Sequence, residues 1–250
     1  MMTNRPVILV TGASRGIGAA VAQRLLEDGC RLAVAARAEK TFAELSATAG
    51  DRLLTLTGDV ARDADCRRMV TDTVDRFGRL DALVNNAGIL TPVARLADSP
   101  PEAWRYNLEV NLMGPFYLSQ AAIPHLRATH GRIVNVSSGA AEKAIQGWSA
   151  YCVSKAALTH FTRLLASEEP AITAVAIRPG VVDTAMQTLI RTEGPRVMTA
   201  ERAAYFQQLK ADGQLLDPSL PAAKIGWLAR KAPPALSGQF IDYDDPRISA

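Results

Sequence analysis

Two side chains that can share a proton lie one helical turn apart in the stretch "SAYCVSKAAL", residues 149–158. Tyr151 precedes Lys155 by four residues, and such positions lie on one face of an α-helix, so both side chains can reach one ligand. A free phenol titrates near about 10 and is a poor acid or base at neutral pH, but a nearby positive charge favours the phenolate. The spacing alone also fits a packed tyrosine and a lysine that extends to water.

The glycine-rich stretch "TGASRGIG", residues 11–18, is a candidate phosphate site. Gly12, Gly16 and Gly18 allow a tight turn and a close backbone approach, and the helix that follows offers free N–H groups to a pyrophosphate. An ordinary strand-to-helix turn can hold the same glycines. The position between a first strand and a first helix favours a dinucleotide site.

The end of the second predicted strand indicates which dinucleotide is bound. The chain there reads "AVAARAEK", with Ala36 and Arg37 where an acidic residue would bind both ribose hydroxyls. A carboxylate would repel a 2′-phosphate, whereas Arg37 can pair with it, and Arg15 lies within reach. Arg37 can also be read as a solvated residue at a helix start. The two arginines favour NADP(H).

The elements that must position these residues alternate along the chain. Apolar runs rich in β-branched residues predict strands at 6–11, 31–36, 52–57, 80–86, 131–138, 171–179 and 238–243. Amphipathic stretches predict helices at 16–28, 39–48, 63–77, 101–128, 149–169 and 218–231. The pattern predicts an α/β fold: a Rossmann-type, doubly wound, mostly parallel seven-stranded sheet with helices on both faces, forming one domain over residues 1–250.

Two regions depart from this alternation. Gly114 and Pro115 interrupt the helical pattern at 101–128, which predicts a kink or local unwinding just after Asn111. Residues 181–217 form a long insertion after the sixth strand, and an insertion at the carboxyl end of a strand is a candidate substrate lid.

Composition narrows the function classes. The formal net charge is +3 and the basic residues are scattered, which argues against nucleic acid as a partner. No apolar run approaches the roughly 18 residues of a membrane span. The three cysteines and three histidines have no metal-ligand spacing, and an odd number of cysteines suggests reduced thiols. We therefore expect a soluble cytoplasmic protein with no metal.

The chain resembles the short-chain dehydrogenase/reductase family over nearly its whole length. The likeness is carried by "TGASRGIG" at 11–18, "GDV" at 58–60, "NNAG" at 85–88, "NLMG" at 111–114, "VSS" at 136–138, "YCVSK" at 151–155 and "RPGVVDT" at 178–184. The last hundred residues are similar to a narrower branch, the benzil reductases that form (S)-benzoin, which are related to sepiapterin reductases. "GWSAYCVSKAAL", "LASEEP", "PGVVDTAMQ", "LLDPSLPA" and "SGQFIDYDDPRI" carry that second likeness.

The resemblance implies a catalytic role for four residues. Tyr151 would be the general acid and base. Lys155 would hold the nicotinamide ribose hydroxyls and, together with the positively charged oxidised nicotinamide, lower the pKa of the phenol. Ser138 would hydrogen-bond the substrate carbonyl, with Ser137 as the competing serine. Asn111 would position a water that links Lys155 to solvent, although it can also be a buried asparagine that bonds freed backbone groups.

The resemblance and the glycine loop together imply the binding residues. Dinucleotide contacts are expected from Gly12, Ser14, Arg15, Gly16, Ile17, Gly18, Arg37, Asp59, Val60, Asn85, Ala87, Gly88, Tyr151, Lys155, Pro179, Gly180, Val182 and Thr184. Asn86 is the neighbour that would only tie strands together. Substrate contacts are expected from Ser138, Ala140, Ile145, Trp148, Tyr151, Met186 and Leu189, and core packing is the competing interpretation of the apolar members.

The favoured function is therefore NADPH-dependent reduction of a ketone or diketone carbonyl, with aromatic diketones such as benzil as candidate substrates. A pteridine reductase and a hydroxysteroid or sugar-alcohol dehydrogenase are alternatives within the enzyme class. A protein that binds NADP(H) and senses redox state without turnover is the alternative outside it. The resemblance also implies a homodimer formed through the helices at 101–128 and 149–169.

Overall fold

The sheet is parallel throughout and has seven strands in the order β3-β2-β1-β4-β5-β6-β7. The computed structural model describes residues 5–38 and 42–249. The strands are β1 Val7–Thr11, β2 Arg31–Ala36, β3 Leu53–Thr57, β4 Ala82–Asn85, β5 Arg132–Val136, β6 Thr173–Arg178 and β7 Phe240–Asp242. Each of the seven predicted strands contains one of them, so the predicted fold class is confirmed.

Nine helices are found in the described ranges, and they follow the predicted pattern with two additions. They are α1 Gly16–Glu27, α2 Ala43–Ala49, α3 Asp63–Phe77, α4 Pro101–Leu108, α5 Gly114–Thr129, α6 Ser149–Glu168, α7 Ala185–Glu193, α8 Ala200–Ala211 and α9 Ser219–Lys231. The predicted start of the second helix, 39–41, lies outside the described residues. The added helices, α7 and α8, belong to the insertion.

Both faces of the sheet are buried because side chains alternate along each strand. In β1, Ile8 and Val10 pack into one apolar cluster with residues of α1 and α9. Val7 and Leu9 pack into a second cluster with residues of α3 and α5. This explains why the strand sequences are almost continuously apolar.

The strand order reverses direction at β1, which has β2 on one side and β4 on the other. In open parallel sheets, such a switch point leaves a crevice at the carboxyl ends of the strands, where ligands bind. The glycine loop 11–18 follows β1 and therefore lies at this crevice.

The irregularity predicted after Asn111 is a π-helical turn at Glu109–Met113, between α4 and α5. It begins two residues before Asn111 and ends at Met113, directly before Gly114. Pro115 has no N–H to donate, so the Asn111 carbonyl lacks its α-helical donor. A Cβ added to Gly114 would lie 2.9 Å from the carbonyl oxygen of Val60, so a larger residue would push this turn away from the loop after β3.

The two ends of the insertion, residues 181–217, lie next to each other. Val182 and Leu216 form a parallel bridge, and the Asp183 N–H donates to the Leu216 carbonyl at 2.9 Å. Lys210, near the end of α8, pairs with the Asp183 carboxylate at 2.7 Å. The segment carrying α7 and α8 is therefore tied at its two ends.

Gly12 and Gly29 have similar backbone conformations but different surroundings, so substitutions at the two positions distinguish steric crowding from backbone strain. Gly12 has φ 63° and an added Cβ would lie 2.7 Å from the Ala87 Cα, whereas Gly29 has φ 81° and no atom within 4 Å of that position. We expect Gly29→Ala to lower the free energy of unfolding by about 1 kcal/mol, since only the left-handed conformation is penalised. Gly12→Ala adds overpacking and should cost about 3 kcal/mol. Urea denaturation tests this, and equal losses would contradict the packing assigned to Gly12.

Candidate active site

A cavity of about 840 Å³ lies at the crevice, and it contains both residues of the tyrosine–lysine pair. Its wall joins the glycine loop, the ends of β4 and β5, the first turns of α6 and the start of the insertion. The phosphate-binding and proton-transfer candidates therefore line one continuous space.

Tyr151 and Lys155 lie on one face of α6, as their spacing predicts. Both are buried, at 7% and 4% exposure. The Lys155 Nζ lies 5.7 Å from the centre of the Tyr151 ring and donates a hydrogen bond of 2.8 Å to the Val136 carbonyl, the last residue of β5. The strand end thus fixes the ammonium beside the phenol.

Burial has the largest effect on both pKa values of this pair, and the expected lowering by Lys155 together with an oxidised nicotinamide stays a prediction. Burial raises the pKa of Tyr151 to about 12, and a hydrogen bond with Ser138 opposes this only in part. Burial also lowers the pKa of Lys155 to about 8. Both shifts have one physical cause, because a site shielded from water disfavours whichever form is charged. Among the protein groups, burial has the largest effect on the Tyr151 hydroxyl, and the phenol is held protonated.

The two candidate serines are placed differently. Ser137 is 2% exposed, and its hydroxyl is engaged by the Thr159 hydroxyl at 2.8 Å and the Lys155 carbonyl at 3.3 Å. Ser138 is half-buried in the cavity wall and accepts the Ala140 N–H at 3.2 Å. Its hydroxyl proton is not used by that bond. This geometry supports Ser138 over Ser137.

Asn111 lies behind the cavity wall and not in it. Its side-chain N–H groups donate to the Ile89 carbonyl, the Asn107 side chain and the Ser154 hydroxyl at 2.8, 2.9 and 3.1 Å, and its side-chain oxygen accepts the Ile89 N–H at 2.9 Å. The side chain of Asn111 therefore bonds buried groups of the protein, as the alternative interpretation of this residue expects. The water relay stays a prediction, and the backbone of Asn111 is the part that is left to bind the water.

The glycine loop packs so closely that side chains would block it. A Cβ on Gly18 would overlap the Gly12 carbonyl and the side chain of Asn86. A Cβ on Gly16 would lie 3.2 Å from the Thr184 methyl group, so the loop and the segment after β6 face each other. The backbone at α1's first turn is open to the cavity.

The two arginines expected near the adenosine ribose both line the cavity and are exposed. Neither Arg15 nor Arg37 forms an ion pair with another described residue, so both remain available to an anion. Asp59 also lines the cavity and accepts the Tyr106 hydroxyl at 3.2 Å.

Seventeen of the eighteen residues expected to contact the dinucleotide line this cavity, and Asn85 does not. Its side chain is buried and donates to Asn135 at 2.8 Å, so it is directed away from the cavity and does not support the expected contact. Consecutive residues at a strand end point to opposite sides. Asn86 faces the cavity instead, and donates to the Thr11 and Gly12 carbonyls at 2.9 and 3.1 Å.

The expected apolar wall is present with one exception. Ala140, Ile145, Trp148 and Met186 line the cavity together with Ser138 and Tyr151. Leu189 packs into the adjoining apolar cluster and is not part of the lining, which is the core-packing alternative. Sequence reasoning did not identify several further lining residues: Leu90, Lys143, Arg178, Gln187, Ile190, Arg202, Tyr205 and Phe206. The periodicity of α8 gives no sign that its polar start turns toward a ligand.

Residues 6–194 match the short chain dehydrogenase family. The chain belongs to this family. It is 39% identical over 247 residues to an uncharacterized oxidoreductase of Saccharomyces cerevisiae, with 97% of each chain covered. It is 40% identical over 255 residues to benzil reductase ((S)-benzoin forming) of the same yeast, again with 97% of each chain covered. A crystal structure of a short chain dehydrogenase/reductase from this yeast superposes with a TM-score of 0.94 at 39% identity, over 98% of both chains.

Membership of the short-chain dehydrogenases identifies the chain as an oxidoreductase, and members of this family normally bind NAD(H) or NADP(H). Within residues 5–38 and 42–249, no helix has the length and hydropathy to cross a bilayer. The same described ranges contain no cluster of three or more His, Cys, Asp or Glu side chains suited to a metal ion.

The buried ammonium should cost this oxidoreductase stability. Lowering the pKa of Lys155 from 10.5 to about 8 means that burial destabilises the ammonium in the folded state by about 3 kcal/mol. The hydrogen bond from Lys155 to the Val136 carbonyl stabilises the folded state by about 1 kcal/mol and offsets part of this cost. We expect Lys155→Met to raise the free energy of unfolding by about 2 kcal/mol at pH 7.

The stability difference between Lys155→Met and the parent should depend on pH. Because the folded pKa lies below the unfolded one, the penalty is full below pH 8 and disappears as the pH rises to 10.5. The difference between Lys155→Met and the parent should therefore shrink over that window in denaturation curves. The exposed Lys231→Met is the matched control and should change nothing. A Lys155→Met protein less stable than the parent at pH 7 would refute this account.

Proposed function

We propose that this chain is an NADPH-dependent carbonyl reductase that converts a ketone or diketone to an alcohol, with Tyr151 as the general acid. The observation that carries the proposal is the meeting of Tyr151, Lys155 and Ser138 in one cavity with the glycine loop. A protein that only sensed the dinucleotide would need the loop but not this polar group at the substrate end.

The cavity suits a nicotinamide dinucleotide in shape and in charge. The glycine loop offers backbone N–H groups that no side chain covers, and Asp59 and Val60 line the region where an adenine would lie. Pro179, Gly180, Val182 and Thr184 form the opposite wall toward Tyr151. A bound NADPH supplies the hydride that a carbonyl carbon accepts.

Three side chains would act on the carbonyl oxygen. The Ser138 hydroxyl donates a hydrogen bond that stabilises the developing alkoxide. Tyr151, held protonated by burial, donates its proton to that oxygen, and an alkoxide is a much stronger base than a phenolate. Lys155 stands next to the ring and stabilises the phenolate that remains.

The choice of NADPH over NADH rests on the end of β2. Ala36 occupies the place where a carboxylate would bind the ribose hydroxyls, and Arg37 follows it at the cavity edge. Arg15 lines the same cavity, so two guanidinium groups that pair with no carboxylate in the described part of the chain are available to a 2′-phosphate.

An aromatic diketone is the substrate we propose. Ala140, Ile145, Trp148 and Met186 give the substrate end an apolar wall. A relative identical at 40% of positions carries the name benzil reductase. The insertion with α7 and α8 supplies Met186 and Phe206 to this wall and would act as the lid that excludes water.

We also propose that the chain works as a cytoplasmic homodimer. Val153 and Leu164 on α6 are 47% and 46% exposed, and an apolar surface on a long helix suits a second copy. Cys30 and Cys66 are buried free thiols, as expected in a reducing compartment.

Removing the phenolic hydroxyl tests the catalytic role. Tyr151→Phe should lower kcat for benzil reduction at least about a thousandfold, because the proton donor is lost. NADPH affinity, measured by fluorescence titration, should stay within threefold, since the ring and Lys155 remain. Tyr243→Phe, which removes a hydroxyl from another tyrosine, is the matched control and should keep full turnover. A Tyr151→Phe enzyme with parental kcat would refute the proposal.

Removing the charge at the ribose tests the cofactor. Arg37→Ala should raise the KM for NADPH about tenfold and leave that for NADH nearly unchanged, because the lost bond joins a guanidinium to a phosphate. The control is Arg95→Ala, an exposed arginine that does not line the cavity. Equal effects on the two dinucleotides would contradict the assignment.

A further inference from the structure

The lining of the cavity carries more positive than negative charge. Six basic side chains reach it from among the described residues, and two acidic ones: Arg15, Arg37, Lys143, Lys155, Arg178 and Arg202, against Asp59 and Asp183. A concave surface with an excess of one sign attracts ligands of the other sign.

Most of these charges have a partner or a role. Arg178 pairs with the Glu142 and Asp242 carboxylates at 2.6 and 3.0 Å, and Asp183 pairs with Lys210. Arg15 and Arg37 face the proposed 2′-phosphate, and Lys155 is bound to the end of β5. Lys143 and Arg202 are left without an assigned anion.

Arg202 belongs to the substrate end of the cavity and not to the dinucleotide end. Its guanidinium lies 5.6 Å from the Phe206 ring centre and 5.4 Å from that of Tyr205. Phe206 lies 5.6 Å from Trp148, and Trp148 lies 6.0 Å from Tyr151, edge to face. A continuous row of aromatic rings therefore joins the proton donor to this guanidinium.

Lys143 approaches from the loop between β5 and α6. Its backbone carbonyl accepts a hydrogen bond from the Cys152 thiol at 3.5 Å. The backbone of Lys143 therefore lies beside the residue that follows Tyr151. Neither Lys143 nor Arg202 pairs with a carboxylate of another described residue. Arg202 is half-buried, so an ion that it binds gains from reduced screening.

We propose that Arg202, assisted by Lys143, binds an acid group of the substrate, so that the natural substrate is an aromatic ketone or diketone that carries a carboxylate. The aromatic row would pack against the aryl part while the guanidinium donates paired hydrogen bonds to the two carboxylate oxygens. This inference rests on the proposed carbonyl reductase function and names its substrate class. Benzil has no carboxylate, so it would contact the aromatic row and leave Arg202 without an anion.

The test compares substrates that differ only in charge. Benzil with a para carboxylate on one ring, and the methyl ester of that acid, have the same reacting carbonyls. NADPH oxidation gives kcat/KM for each, and their ratio removes effects on folding and on the chemical step. We expect the parent enzyme to prefer the acid, with a preference that declines as salt is added.

Variants assign the preference to one side chain. Arg202→Met keeps the apolar stem and should lower the acid-to-ester ratio at least about tenfold, mainly through KM of the acid, as expected for loss of the paired hydrogen bonds to a charged group. Arg202→Lys should retain part of the preference. Arg196→Met removes a 74% exposed arginine of the same insertion and should leave the ratio unchanged.

Two outcomes overturn the proposal. Equal kcat/KM values for acid and ester in the parent enzyme would show that no cation of the site binds the substrate carboxylate. An unchanged ratio in Arg202→Met shows that this arginine only packs on Tyr205 and Phe206. Failure to oxidise NADPH with benzil, acid or ester is a different result, because it overturns the carbonyl reductase function itself.

Discussion

Burial of an ammonium beside a phenol is the constraint on which the rest of this site depends. Lys155 is held by the Val136 carbonyl at the end of β5, and Tyr151 lies one turn away on α6. Water is excluded from both, so the lysine is pushed toward its neutral form and the tyrosine is kept protonated. The site therefore keeps a phenol protonated at the cost of stability, a trade-off that is common where function needs a strained site.

The sheet explains how distant sequence segments meet around this pair. Parallel strands end at one edge, so the glycine loop after β1, the serines after β5 and the segment after β6 converge there. The π-helical turn between α4 and α5 adds Asn111, whose side chain bonds α6 through Ser154 and the chain after β4 through Ile89. The helix α6 is thus fixed by Asn111 as well as by the bond from Lys155 to the end of β5.

The sequence was sufficient to predict the fold, and most of the candidate residues that it indicates line one cavity, because both depend on local patterns. Strand and helix positions follow from apolar periodicity, and Tyr151 and Lys155 share a face because their spacing requires it. The residues whose positions differ from these expectations depend on features that spacing does not determine. Asn85 and Asn86 point to opposite sides, and only the register of β4 with β5 decides which one faces the cavity. Leu189 and the start of α8 depend on how the insertion folds back, and Arg178 is neutralised by carboxylates distant in sequence.

The state of the Tyr151 phenol tests the central claim most directly. Ultraviolet difference titration of the parent protein against Tyr151→Phe isolates the phenolate signal of this residue. Our account predicts that the signal is absent below pH 10 in the protein alone, and that it moves to lower pH when NADP⁺ brings its positive nicotinamide ring beside the phenol. A Tyr151 phenolate that forms at or below pH 10 without a dinucleotide would contradict the account.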